Sequence, residues 1–341
     1  MARTDSRKIA VWLLIVAALV FLMVVVGGVT RLTRSGLSIV EWNPVMGALP
    51  PLDESQWLAE FDKYKQTPEY RHVNKDMTLG GFQRIFYVEW AHRLLGRLIG
   101  IVFLLPLLYF AARRKIDRAL ALRLGGVFVL GGLQGALGWF MVKSGLIDVP
   151  RVSPYRLTAH LAFAIAIYAY LLWTALGLLY PRGERASSAL QRVGWGVTAL
   201  IFITILAGGF VAGTKAGFAF NTWPLMYGQL VPPGMFALEP WWSNFFENIP
   251  TVQFDHRMLA YAVVLAVALH AWRGLRSDVA GRARIGFVLL PLAAFVQLTL
   301  GILTVLHAVP IPLGAAHQAG ALALFSVSLF LNHAMHARAA Q

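Results

Sequence analysis

The sequence predicts an all-α integral membrane protein with eight transmembrane helices, built as two pseudo-symmetric four-helix bundles of the same orientation. Two properties of composition point there first. The 341 residues are 58% hydrophobic and only 13% charged, with a mean hydropathy of +0.62, far from the balance of a water-soluble domain. Windows of apolar residues long enough to cross a bilayer core fall near 9–29, 84–110, 120–142, 155–180, 190–213, 254–273, 285–308 and 312–333. The third observation is an internal repeat that pairs the first four windows with the last four.

The first window follows a polar N-terminus containing Arg3, Arg7 and Lys8. It is too long for the apolar stretch of a removable leader and lacks a small-residue cleavage site, so it is expected to remain as helix one. The connection 30–82 opens with RSGLSIVEWNPVMGALPP, rich in Gly, Pro and Trp and too apolar for a plain linker. It is expected to fold back over the membrane-embedded site as a cap, as is KAGFAFNTWPLMYGQLVPP at 215–233. Residues 52–82, with Glu54, Glu60, Asp62, Lys63, Tyr64 and Lys65, predict a polar helical excursion, amphipathic at the membrane surface.

Windows two and three are joined through Arg113, Arg114, Lys115, Arg118 and Arg123. Windows four and five are joined through Arg182, Arg185 and Arg192, and windows six and seven through Arg273, Arg276, Arg282 and Arg284, while Arg338 lies in the tail. With eight spans these basic residues share the side of the N-terminus, whereas the opposite connection 309–311 has none and 143–156 has only Lys143, Arg151 and Arg156. The positive-inside rule makes the basic side cytoplasmic and places both termini there.

The net charge of +14 is concentrated in short loops beside spans, where anionic lipid accounts for it, so nucleic acid is excluded as a partner. The chain has no cysteine, which excludes disulfides, iron–sulfur clusters and thiolate metal sites. Chemistry is left to His, Glu, Gln, Arg or a bound cofactor.

The repeat is read segment by segment. GGVTRLTRSGLSIVEWNPVMGALPP at 27–51 aligns with GGFVAGTKAGFAFNTWPLMYGQLVPP at 208–233, matching Gly36 to Gly217, Trp42 to Trp223, Pro44 to Pro224 and Met46 to Met226. His92-Arg93 answers to His256-Arg257, LQGALG at 133–138 to VQLTLG at 296–301, and TAHLAFA at 158–164 to AAHQAGA at 315–321. Residues 1–183 and 184–341 are thus two copies of a four-helix unit. Because four is even, they share one orientation about an axis along the membrane normal.

Helices two, four, six and eight all start on the outer side, and His92, His160, His256 and His317 lie within roughly their first two turns. An isolated intramembrane histidine is ordinarily a hydrogen-bonded packing residue, and His72, His270, His307, His333 and His336 are read that way. Four at equivalent repeat positions are not. Two histidines from different helices, without carboxylate or thiolate partners, suit axial ligation of a haem better than zinc or calcium. A porphyrin lying against each ligand helix needs a small residue one turn on, and Gly96, Ala164, Ala260 and Ala321 supply it. The expected pairs are His92 with His160 and His256 with His317, one porphyrin per half.

The halves differ where Glu89 aligns with Gln253, three residues before the histidine and on its face of the helix. A carboxylate can exchange protons where glutamine cannot, which makes the N-terminal half the reaction site and the C-terminal half a permanent electron carrier. Helical spacing also allows Glu89 a structural pair with Arg93 or Arg97. Arg93 and Arg257 are candidates for contacts to haem propionates.

The Glu-x-x-His-Arg element at 89–93, QGALGWFMVKSGL at 134–146, TAHLA at 158–162, NTWPLM at 221–226, FDHR at 254–257 and AAHQAGA at 315–321 together resemble the haem A synthase family. The likeness covers nearly the whole chain. The long first loop and the absence of cysteine match the branch of the mitochondrial and alphaproteobacterial enzymes, and depart from branches with a cysteine pair in the outer loop.

The resemblance implies an oxidoreductase of the bacterial inner membrane that converts the C8 methyl group of haem O to the formyl group of haem A, through an alcohol and a gem-diol, for cytochrome oxidase assembly. It implies that His92 and His160 hold the substrate haem, that His256 and His317 hold haem b, and that Glu89 is catalytic. Its expected partners are a redox partner, haem O synthase or oxidase assembly factors, and membrane lipid. A homo-oligomer is permitted. Haem O synthase activity itself is disfavoured, because acidic residues such as Asp148 and Asp255 are scattered rather than grouped for a magnesium diphosphate. The competing readings are a di-haem electron-transfer cytochrome and a transporter.

Overall fold

Eight helices long and apolar enough to cross a membrane dominate the computed structural model, which describes residues 3–43, 46–147, 150–181, 183–184 and 186–336. Pro44, Asp148, Arg182, Arg185 and Arg338 lie outside the described residues. The spanning helices are α1 (Arg3–Leu32), α4 (Leu79–Ala112), α5 (Arg118–Leu146), α6 (Pro154–Leu179), α7 (Ser188–Thr214), α9 (Ile249–Leu275), α10 (Gly281–Leu306) and α11 (Ile311–Met335). Three shorter helices, α2 (Glu54–Lys65), α3 (Pro68–His72) and α8 (Asn244–Glu247), lie in the two long connections, and no strand occurs among the described residues. Every backbone polar group in hydrocarbon must be satisfied within its own segment, which is why the spans are helical throughout.

Helix starts follow local chemistry. Asp53, Thr67, Thr78, Asp117, Ser187 and Asn248 each accept a hydrogen bond from a first-turn backbone N–H. Glu184 does the same from outside the helix, accepting the N–H groups of Arg282 and Ala283 at 2.8 and 2.9 Å and so fixing the start of α10.

The chain divides into two compact units, Ala18–Ile167 and the remainder. In the second unit α7 packs on α9, α9 on α10, α10 on α11, and α11 back on α7, closing a four-helix ring. Toward the ends of α7 and α11, Asn332 Nδ2 donates to Thr198 Oγ1 at 2.7 Å and Thr198 bonds Ser328. His270 is buried against Phe287, and Trp173 packs on His333 and His336, so these three histidines are packing residues. Tyr168 on α6 reaches Ser326 on α11 at 2.7 Å within the same unit.

The first unit contains a folded excursion. Helix α2 is amphipathic, as predicted, but its apolar face is taken up by protein: at the outer end of α4, Phe61 and Tyr64 stack on Phe82 and Trp57 meets Phe86 edge-on. That contact lets α4 continue outward for more than a turn beyond its apolar window. His92 is therefore the fourteenth residue of α4, whereas His160, His256 and His317 are the seventh, eighth and seventh of their helices.

Candidate functional site

Each of the four repeated histidines faces a glycine of the preceding spanning helix. A Cβ at Gly27 would lie 3.1 Å from His92 Cε1, and one at Gly208 would lie 3.1 Å from His256 Cε1. A Cβ at Gly138 would come within 3.0 Å of His160, and one at Gly301 within 2.9 Å of His317. Gly27 and Gly208 are equivalent in the repeat, as are Gly138 and Gly301, so one contact recurs in all four places. Absence of a side chain lets the imidazole edge seat against the neighbouring backbone, and any larger residue displaces the ring.

His256 and His317 stand with ring centres 6.3 Å apart and ring planes at 89°. Two imidazoles on opposite sides of one metal ion, with metal–nitrogen distances of about 2.0–2.1 Å, put their ring centres roughly 6 Å apart. His92 and His160 lie together in the first unit. The imidazole Nδ1 atoms of His92 and His160 are buried without a hydrogen-bond partner, although each residue is only part-buried. Gly96 is exposed and Ala164, Ala260 and Ala321 are only half-buried, leaving the helix flank beside each histidine open. Paired imidazoles, glycine seats and an open flank fit a flat metallo-porphyrin. Among the described residues no group of three or more His, Asp or Glu is gathered for a bare metal ion.

Glu89 is 2% exposed and fully engaged. Its Oε2 accepts Ser38 N at 2.8 Å, Ser38 Oγ at 2.8 Å and Ile39 N at 2.9 Å, while Oε1 accepts Arg93 Nε at 3.1 Å and Nη2 at 2.7 Å. All five partners donate, which is the environment of a carboxylate rather than of an acid. Arg93 also donates to the carbonyls of Ile39 at 2.9 Å and Glu41 at 3.1 Å, so the start of the outer loop is clasped from both sides.

The second half reproduces half of this clasp. Arg257 donates to the carbonyls of Phe220 at 2.6 Å and Thr222 at 2.9 Å, the positions equivalent to Ile39 and Glu41. Gln253 is equally buried but makes only a 3.4 Å contact to Phe220 O, with its own Oε1 unpartnered. The residue equivalent to Ser38 is Ala219, so the carboxylate and its hydroxyl donor are lost together. Both loops turn out of their helices at equivalent left-handed residues, Arg34 with φ 53° and Lys215 with φ 60°.

The structure thus gathers the predicted site residues in two places: Glu89, His92, Arg93 and His160 in one unit, His256, Arg257 and His317 in the other. In both arginines, loop carbonyls take up guanidinium N–H groups that the sequence reading offers to propionates; Arg93 uses four of its five donors on Glu89, Ile39 and Glu41. Sequence reasoning missed Ser38, the four glycines and two glutamines, Gln134 and Gln297, that touch His160 and His317. The repeat carried the signal for the glycines and glutamines, since each occupies an equivalent position in both halves.

Comparison with known proteins points to one family. The family of cytochrome oxidase assembly proteins, COX15-CtaA, matches residues 10–329. A protein of Nitrosospira multiformis named "Heme A synthase" is 53% identical over 96% of this chain and 93% of its own length. Proteins of the same name from Parvibaculum lavamentivorans and Rhodospirillum centenum are 53% and 51% identical, covering 97% and 96% of this chain and 96% and 88% of theirs. With a family match across nearly all of its spans, the chain belongs to the COX15-CtaA family of cytochrome oxidase assembly proteins.

Proposed function

We propose that the chain is a haem A synthase, oxidising the C8 methyl group of haem O to a formyl group. The observation that carries this reading is an unequal pair of sites: two equivalent histidine pairs seated on equivalent glycines, with Glu89 and Ser38 in one replaced by Gln253 and Ala219 in the other. Two like sites that differ by one ionisable group divide naturally into a site that reacts and a site that carries electrons. The names of relatives at about 50% identity over nearly the full length supply the product, haem A.

In this reading His92 and His160 hold the substrate haem, and His256 and His317 hold haem b, with the halves 1–183 and 184–341 as the two functional units. Bound there, haem b supplies one-electron redox chemistry. Glu89, three residues before His92, would accept the proton released as a C–H bond of the methyl group is oxidised, with the electrons leaving to the redox partner and the oxygen supplied by water or dioxygen. Because all five of its contacts are donors, taking up a proton displaces one of them and loosens its hold on the outer loop at Ser38 and Ile39. Propionate contacts by Arg93 and Arg257 use the N–H groups left over from the loop carbonyls. The chain sits in the bacterial inner membrane with both termini cytoplasmic and the histidine sites toward the periplasm, served by a redox partner and by the proteins that deliver haem O and receive haem A.

The test is to purify the full chain in detergent, extract its porphyrins into acid solvent, and identify them by chromatography and mass. Haem b together with haem O, haem A or a hydroxylated intermediate supports the reading. Haem b alone, from a host supplying haem O, leaves a di-haem cytochrome, and the absence of any haem leaves a transporter.

A further inference from the structure

The two sites also differ in what stands behind the second histidine of each pair. Gln297 on α10 places its carboxamide nitrogen 3.1 Å from His317 Nδ1, and its carboxamide oxygen is buried without a hydrogen-bond partner. That oxygen rests on the bare Cα of Gly320, where a Cβ would collide with it. The equivalent Gln134 on α5 also has a buried oxygen without a partner, but its nitrogen is engaged elsewhere: it donates to the backbone carbonyl of His160 at 3.0 Å and is only 3.4 Å from Nε2, while His160 Nδ1 has no partner. The position equivalent to Gly320 is Phe163.

We infer that Gln297 is the positioning residue of the C-terminal haem site, holding His317 through Nδ1 in a space that Gly320 leaves open, and that Phe163 denies this role to Gln134. The inference rests on the haem reading of the histidine pairs. An imidazole that ligates iron through Nε2 carries its proton on Nδ1 and needs an acceptor there. A half-turn of the Gln297 carboxamide exchanges nitrogen for oxygen at the same place and supplies one. The bond orients the ring and makes His317 a more basic ligand, which favours ferric iron and firm retention. His160, lacking that partner, is the more easily released ligand. This is the distinction expected between a resident cofactor and a substrate that must leave as product.

The experiment uses the purified full-length chain, haem content measured from its reduced absorbance, and a potentiometric titration of the C-terminal haem. Gln297→Leu is expected to keep a six-coordinate spectrum, to raise the midpoint potential, and to lose haem about 10–100-fold more readily. Gln297→Glu restores an acceptor, retains haem and shifts the potential below wild type. Gly320→Phe reproduces the leucine phenotype with Gln297 intact. Unchanged potential and retention in Gln297→Leu, or a Gln297→Glu shift in the same direction as leucine, overturns the inference; should the leucine protein fail to fold, the glutamate and Gly320→Phe proteins decide alone. A wild-type protein without haem, or a His256→Ala protein with its full haem complement, instead overturns the haem reading beneath it.

Discussion

Position 89 is where the two half-sites differ by an ionisable group, and its environment explains why a charge is tolerated there. A buried carboxylate is costly unless it is paired and hydrogen-bonded, and Glu89 has an arginine and three loop donors. Glu89→Gln removes both the charge and the proton acceptor while preserving size. Haem A formation is expected to fall about 10²–10⁴-fold, with haem O or the alcohol accumulating and haem b retained, as read from extracted porphyrins. Normal haem A output would remove Glu89 from the chemistry. Breaking the same pair from the other side with Arg93→Ala leaves a buried charge and costs about 3–5 kcal/mol, read as a fall in thermal midpoint larger than that of Glu89→Gln. The glutamate and the histidines are legible in the sequence because the repeat aligns them; Ser38 is not, because its role is set by a contact across 51 positions of chain.

At the scale of helices, the glycine seats make separable predictions for the two halves. Gly301→Val or Gly208→Val pushes a side chain into His317 or His256 and is expected to strip haem from the C-terminal site. Gly27→Val acts on His92 and leaves that haem in place, a difference seen directly in reduced-minus-oxidised spectra. Equal loss from all three variants would mean that the glycines serve general packing. Helix α2 offers a second test. Trp57→Ala opens the aromatic cluster at a cost of about 3–5 kcal/mol, and limited proteolysis should then cut within 52–78 while the spans stay protected. Burial in that cluster raises the Tyr64 phenol above its ordinary value of about 10, because the phenolate is disfavoured there. The neutral form's contribution is present below pH 10 and lost at higher pH, so α2 should become protease-sensitive first on the alkaline side. The amphipathic pattern of α2 was readable; its landing on α4 rather than on lipid was not, since α4 presents Phe82 and Phe86 only once folded.

For the whole molecule, eight spans and the distribution of basic residues make a topology that can be measured. Reporter fusions in the Arg113–Lys115 turn and after Arg276 should score as cytoplasmic, and fusions after Leu230 as periplasmic; the opposite pattern would invert the assignment of the histidine sites. By itself the sequence determined the all-helical spanning architecture, because hydrocarbon admits little else for such long apolar windows. It likewise made the duplication and the set of four histidines with Glu89 legible as a candidate site, because equivalent positions align without any knowledge of packing. Tertiary structure alone decided which glycine seats which imidazole, that Ser38 and Arg93 clasp Glu89, and that Gln297 reaches His317 where Gln134 does not reach the same atom of His160. Those contacts join different helices and loops, and the close approaches that make them are set by how the helices pack, which no local pattern of residues encodes.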